Sequence, residues 1–125
     1  MNLKEYAEKA KRTQKFLGND LADDMHMVMG MTTEVGELVD AYKKQLAYDK
    51  PIDWVNVQEE IGDLMWYVSN LCSQRGFDLE KILELNIKKL EARYPDKFTN
   101  EKATKRNLKK EREILETINE TTAPA

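Results

Sequence analysis

Two short acidic motifs carry the residues best suited to chemistry: Glu34 and Glu37 in Thr33-Glu34-Val35-Gly36-Glu37-Leu38, and Glu60 and Asp63 in Glu59-Glu60-Ile61-Gly62-Asp63-Leu64. Within each pair the acids stand three residues apart, so on a helix they project from one side, about one turn from each other. Two carboxylates near 4 Å repel by about 4 kcal/mol at an effective dielectric near 20, so such a group needs protons or a cation. Four oxygen donors without imidazole or thiolate suit a hard cation, Mg²⁺ first and Mn²⁺ as the alternative. Di-iron bundles use Glu-x-x-His pairs, and the single histidine, His26, belongs to none. The competing reading is a solvated face whose acids pair with Lys43, Lys44 or other bases. Two matched pairs, each enclosing a glycine (Gly36 and Gly62), favour the metal. A glycine inside a helix costs about 1 kcal/mol against alanine, and a close approach would justify it.

The elements that must position these acids read as helices. Leu3, Tyr6, Ala10, Thr13 and Leu17 recur every three or four residues, which predicts a short amphipathic helix ending near Gly18. Asp20 offers an N-cap, with Asp23 in the following first turn. Leu21, Met25, Val28, Thr32, Val35, Val39, Tyr42 and Leu46 then form one continuous stripe. Pro51 breaks that helix and Asp53 caps the next, which runs roughly from Trp54 to Gln74 with Trp54, Val57, Ile61, Leu64, Val68 and Leu71 on its stripe. Arg75-Gly76-Phe77 supplies the stop. Asp78 caps a third core helix through Leu79, Ile82, Leu83, Asn86, Leu90 and Tyr94, closed by Pro95. Asn100 to Asn119 reads as a solvated helix with only Leu108, Ile114, Leu115 and Ile118 as anchors, and Thr121 to Ala125 should fray.

The expected fold is all-α, an antiparallel bundle of four to five helices with the apolar stripes meeting in the centre, completed by oligomerisation. Residues 1–98 are expected to form the bundle that carries the acids, and residues 99–125 a charged C-terminal helix and tail belonging to the same domain or to an oligomer interface. Glu37 lies nine residues before Leu46 and Asp63 ten after Asp53, so the two should face each other roughly 14 and 15 Å from the turn.

Composition narrows the function. At 125 residues the chain fits one domain, and its single cysteine, Cys72, excludes an internal disulfide and a Cys-rich zinc module. No signal peptide or run of about 18 apolar residues is present, which points to the cytoplasm and away from a membrane. Twenty bases against twenty-three acids leave a net charge of −3, which argues against binding nucleic-acid polymer or anionic lipid.

Glu-x-x-Glu, a 22-residue interval and Glu-x-x-Asp together resemble the MazG-like branch of the all-α nucleoside triphosphate pyrophosphohydrolases, a superfamily that includes dimeric dUTPases and phosphoribosyl-ATP pyrophosphohydrolases. That motif often opens with two adjacent glutamates; Thr33 stands at the first, and the four ligand positions remain. Asn86-Ile87-Lys88-Lys89-Leu90-Glu91-Ala92-Arg93-Tyr94-Pro95 is similar to the family's third-helix segment that contacts phosphates, so the resemblance spans roughly Leu21 to Phe98. It implies Mg²⁺-dependent cleavage of a (deoxy)nucleoside triphosphate between the α and β phosphates, giving the monophosphate and pyrophosphate, for nucleotide-pool sanitation or control. Glu34, Glu37, Glu60 and Asp63 would hold the metal, with Glu37 or Glu34 orienting the attacking water. It also suggests a homodimer or homotetramer.

Asn86, Lys89 and Arg93 share a helical face that could meet phosphates, against a plain solvated basic face. Tyr67, one turn past Asp63, and His26 are the further substrate-contact candidates, Tyr67 against a core aromatic. Met25, Met27, Met29 and Met31 read first as core or interface, Trp54 and Trp66 as packing before base stacking, and Cys72 as a buried small residue. Two alternatives stand beside the main reading: a relative acting on dUTP, dCTP or an alarmone, and a non-enzymatic helical adaptor.

Overall fold

A computed structural model describes residues 1–121, and within them the chain is helices and turns with no strand, so the all-α expectation holds. It divides into two compact units, Met1–Phe77 and the residues from Asp78 onward.

The first unit holds α1 (Leu3–Lys11), α2 (Asp20–Tyr48) and α3 (Trp54–Arg75). Asn2 caps α1 in a reciprocal box with Glu5, an arrangement worth about 1 kcal/mol. α1 ends at Lys11, short of the expected Gly18, where the Thr13 hydroxyl turns back to donate to the Ala10 carbonyl at 2.9 Å. Asn19, one residue ahead of Asp20, caps α2, while the Asp23 carboxylate accepts the Leu17 amide at 2.6 Å and pins the incoming loop. α2 stops on Asp49 in the left-handed region (φ 52°), and α3 begins on the Asp53 cap and stops on left-handed Gly76 (φ 66°), as its sequence predicts.

The helices α2 and α3 pack along their length as an antiparallel pair: Arg75 reaches Asp24, Tyr67 crosses Gly30, and Glu60 meets Glu34 and Glu37. α1 lies against α3, with the Trp66 indole N–H donating to the Thr13 hydroxyl at 2.9 Å. This face of α2 is not the expected one. Met27, Gly30 and Ala41 are the α2 residues buried, whereas Leu21, Met25, Val28, Val35, Val39, Tyr42 and Leu46 are exposed. The expectation of stripes meeting in the centre is thus corrected for α2. A periodic pattern says that a helix has an apolar side, not what covers it, and here small residues and acids take the intrachain contact.

In the second unit α4 (Leu79–Arg93) packs with α6 (Leu108–Glu116) and α7 (Ile118–Thr121); α5 (Asn100–Thr104) precedes them. The single helix expected over Asn100 to Asn119 is therefore three. Asn107 caps α6, and Arg106 folds onto Glu111 five residues later, a pairing that a continuous helix would place roughly 140° apart around its axis. The frayed tail expected from Thr121 lies outside the described residues, except for Thr121 itself, which closes α7.

Candidate active site

Glu34, Glu37 and Glu60 each offer a carboxylate oxygen, and these atoms lie within 4.8 Å of one another. Glu60 is buried at 5 % exposure, Glu34 is half-buried and Glu37 opens to solvent. The group is therefore a pocket of negative charge with one inner and one outer wall. Burial first, and then hydrogen bonding with Glu34 and Glu37, pushes the Glu60 carboxyl up to about 7. The bases expected to neutralise such acids are used elsewhere: Lys44 and Lys43 pair with Asp40 at 2.9 and 3.9 Å. Three oxygens converging with no base paired directly to them, Lys44 acting on Glu37 only through its charge, fit a hard divalent cation, since an ion replaces the proton on Glu60 and supplies the missing positive charge.

The acid brought against Glu37 is Glu60, not Asp63, so the level counted from the turn was off by about one helical turn. α2 overhangs the start of α3: everything from Tyr42 to Pro51 is exposed, Leu46 at 91 %, and counting back from each side of the loop misjudges the register. Asp63 is exposed and outside the three-acid group; it lies near the Tyr6 hydroxyl, whose pKa is raised by burial and then by the Asp63 charge. Thr33, where the family motif has an acid, turns its hydroxyl onto the Gly30 carbonyl at 2.9 Å.

The close approach expected at Gly36 and Gly62 is absent: nothing lies within 4 Å of a Cβ built at either, because both face outward. The tight position is Gly30. A Cβ there would sit 2.1 Å from the Tyr67 ring, so only glycine lets that ring lie across the α2 backbone. Tyr67 also meets the His26 ring edge-on (centroids 6.3 Å) and Trp66 (4.9 Å), so the candidate contacts Tyr67 and His26 are brought together. Trp66 packs against Thr13 as expected, whereas Trp54 meets the Tyr42 ring edge but is exposed, so the central-stripe position expected for it is corrected. Cys72 is buried, and burial pushes its thiol pKa up, which fits an inert small residue.

Asn86, Lys89 and Arg93 stand on α4, in the second unit: Asn86 exposed, Lys89 half-buried and Arg93 engaged. The Arg93 Nε and Nη2 donate to Glu111 Oε1 at 2.9 and 2.5 Å, and Arg106 Nε donates to the other oxygen at 3.1 Å. Glu111 itself is 4 % exposed. Sequence reasoning missed Glu111, Gly30 and Asn70. For Asn70 a signal existed: with Ser69 it is a polar interruption between the apolar residues Val68 and Leu71 of the α3 stripe.

Fold and site together define an all-α protein with a carboxylate group suited to a divalent cation. Comparison with known families gives the class: the MazG nucleotide pyrophosphohydrolase domain matches residues 23–98, more than half of the chain, and the protein belongs to that family. Family members are generally dependent on divalent metals, which the three-acid group suits. A curated relative, Gene 37 protein of Mycobacterium phage L5, is 36 % identical over 72 residues, covering 54 % of this chain and 63 % of that protein. The chain thus matches less than two-thirds of that relative's length. No solved structure gives a significant match. Among the described residues no helix is long and apolar enough to cross a membrane.

Proposed function

We propose that the protein hydrolyses a (deoxy)nucleoside triphosphate between its α and β phosphates, releasing the monophosphate and pyrophosphate, and serves to clean or limit a nucleotide pool in the cytoplasm. One observation carries the reading: Glu34, Glu37 and Glu60 converge within 4.8 Å. With no base among them, the group repels a polyphosphate unless cations stand between them. Glu34, Glu37, Glu60 and Asp63, one turn beyond Glu60, would hold Mg²⁺, or Mn²⁺ in its place. When bound, the metal supplies charge neutralisation at the phosphates and a lowered pKa for the attacking water. Glu37, the most exposed of the three carboxylates, would accept a hydrogen bond from that water and orient it, with Glu34 beside it.

Tyr67 and His26 are the contacts proposed for the nucleoside, and Asn86 and Lys89 those for the phosphates. Arg93 has Nε and Nη2 committed to Glu111, so Nη1 is the end it offers a phosphate. The exposed α2 stripe from Leu21 to Leu46 supports a homodimer or homotetramer, because a second copy would remove it from water.

The test is a panel of triphosphates, including dUTP and dCTP, and an alarmone, incubated with Mg²⁺ and scored for pyrophosphate against orthophosphate. Wild type should release pyrophosphate, and Glu37→Gln and Asp63→Asn should release it far more slowly. Orthophosphate as the sole product would overturn the cleavage position. Activity in Asp63→Asn equal to wild type would remove Asp63 from the ligand set.

A further inference from the structure

Beyond the acids, α2, α3 and the loop before α2 hold buried polar groups with no hydrogen-bond partner among the described residues. Asn70 is 0 % exposed, and neither its Nδ2 nor its Oδ1 has a hydrogen-bond partner. The His26 Nδ1 is likewise buried and unpaired, as are both amide atoms of Gln14 and of Gln74. Folded proteins leave few such groups, and a donor and acceptor held dry together mark a place for a polar guest.

Their placement says which guest. At 100° per residue, Glu60, Tyr67, Asn70 and Gln74 fall within roughly 80° of the α3 circumference, and His26, Gly30 and Glu34 within the same width on α2. Moving away from the acids, Tyr67 over Gly30 comes first. Asn70 and His26 follow, roughly 15 Å along α3 from Glu60 and roughly 12 Å along α2 from Glu34. Gln74, one turn past Asn70, lines a cavity of about 160 Å³ with Phe16, Asp20, Asp23, Asp24 and Arg75, which begins beyond Asn70 and His26 and is not lined by either. The same interface therefore runs from a cation-holding end, where metal-bound phosphates would sit, through an aromatic ring to a set of unpaired amides. A nucleotide has that order of parts: phosphates, sugar and a flat base whose edge carries a donor beside an acceptor.

We propose that Asn70 is a specificity-determining residue, its amide hydrogen-bonding the donor–acceptor edge of the nucleobase with His26 Nδ1 alongside. This rests on the pyrophosphohydrolase reading above and adds what that site discriminates. A site built to pair a polar edge rejects the wrong edge strongly, because the mismatched base leaves the buried amide unpaired.

The experiment titrates dAMP, dGMP, dCMP, dTMP and inorganic pyrophosphate separately into the full-length protein with Mg²⁺, for wild type, Asn70→Leu and Asn70→Asp. Wild type should prefer one base. Asn70→Leu, of similar volume but without the amide, should keep its pyrophosphate and Mg²⁺ responses and lose about 10- to 100-fold in affinity for the preferred monophosphate, levelling the four. If Asn70→Leu fails to fold, Asn70→Asp decides: exchanging a donor for an acceptor should change the order of preference among the bases. A wild type indifferent to base, or variants that keep its preference, overturns the proposal and leaves Asn70 a structural amide. Failure of the parent reading looks different: wild type then releases no pyrophosphate from any triphosphate, while the monophosphate titrations still report on Asn70.

Discussion

The two units each bury a glutamate and treat it in opposite ways. Glu111 is 4 % exposed and receives the guanidinium groups of Arg93 and Arg106, which hold its carboxyl below the usual range despite burial. Glu60 is 5 % exposed, receives only other carboxylates and is pushed up to about 7. A buried acid whose counter-charge comes from its own chain is part of the scaffold. A buried acid whose neighbours are acids either keeps a proton, as metal-free Glu60 does, or takes a cation from outside. The contrast separates structure from site more clearly than burial or charge alone.

The sharpest way to break the comparison is Glu37→Gln, which should lower the rate of pyrophosphate release by about 10²- to 10⁴-fold, the range for losing a positioned base. Equal rates would remove Glu37 from the chemistry. Magnesium at about a hundred times its dissociation constant should stabilise wild type by about 2.7 kcal/mol, read as a raised thermal midpoint, and should do markedly less in Glu60→Gln. Glu111→Ala should act in reverse, lowering the midpoint by several degrees by stranding two arginines while leaving the magnesium-induced rise intact. Gly30→Ala drives a methyl into the Tyr67 ring and should cost about 1–3 kcal/mol by denaturant unfolding.

The remaining effect is that of pH. Between the ordinary value of 4.5 and about 7, folded Glu60 keeps a proton that the unfolded chain has released. Metal-free stability should therefore fall as pH rises through that window, and magnesium, by displacing the proton, should flatten the slope. A metal-free midpoint that climbs across the window would show that Glu60 is neutralised by some other group.

How much was legible in advance differs from element to element. The boundaries of α3 followed from Asp53 and Gly76, because caps act within a few residues of chain. The pairing of Glu34 with Glu37 followed from helical spacing alone. Asp63 was expected beside Glu37 and stands apart, because the level of one helix against another depends on how far α2 overhangs the loop. Gly36 and Gly62 drew attention as glycines near acids, yet Gly30 is the one in contact, since what lies over a helix backbone is a neighbour's property. The α6 break was missed because helix propensity over Asn100 to Asn119 says nothing of an Arg106–Glu111 pairing.

By itself the amino-acid sequence determined the helical class, the helix ends with strong caps and the two acidic pairs, since each depends on interactions within a turn or two. Only the tertiary structure decided which acid of the second pair closes on the first, which face of α2 is covered within the chain, and that Asn70 is sealed from water without a partner. Those are matters of register and packing between distant segments, and an antiparallel helix pair can slide by a turn while every local preference remains satisfied.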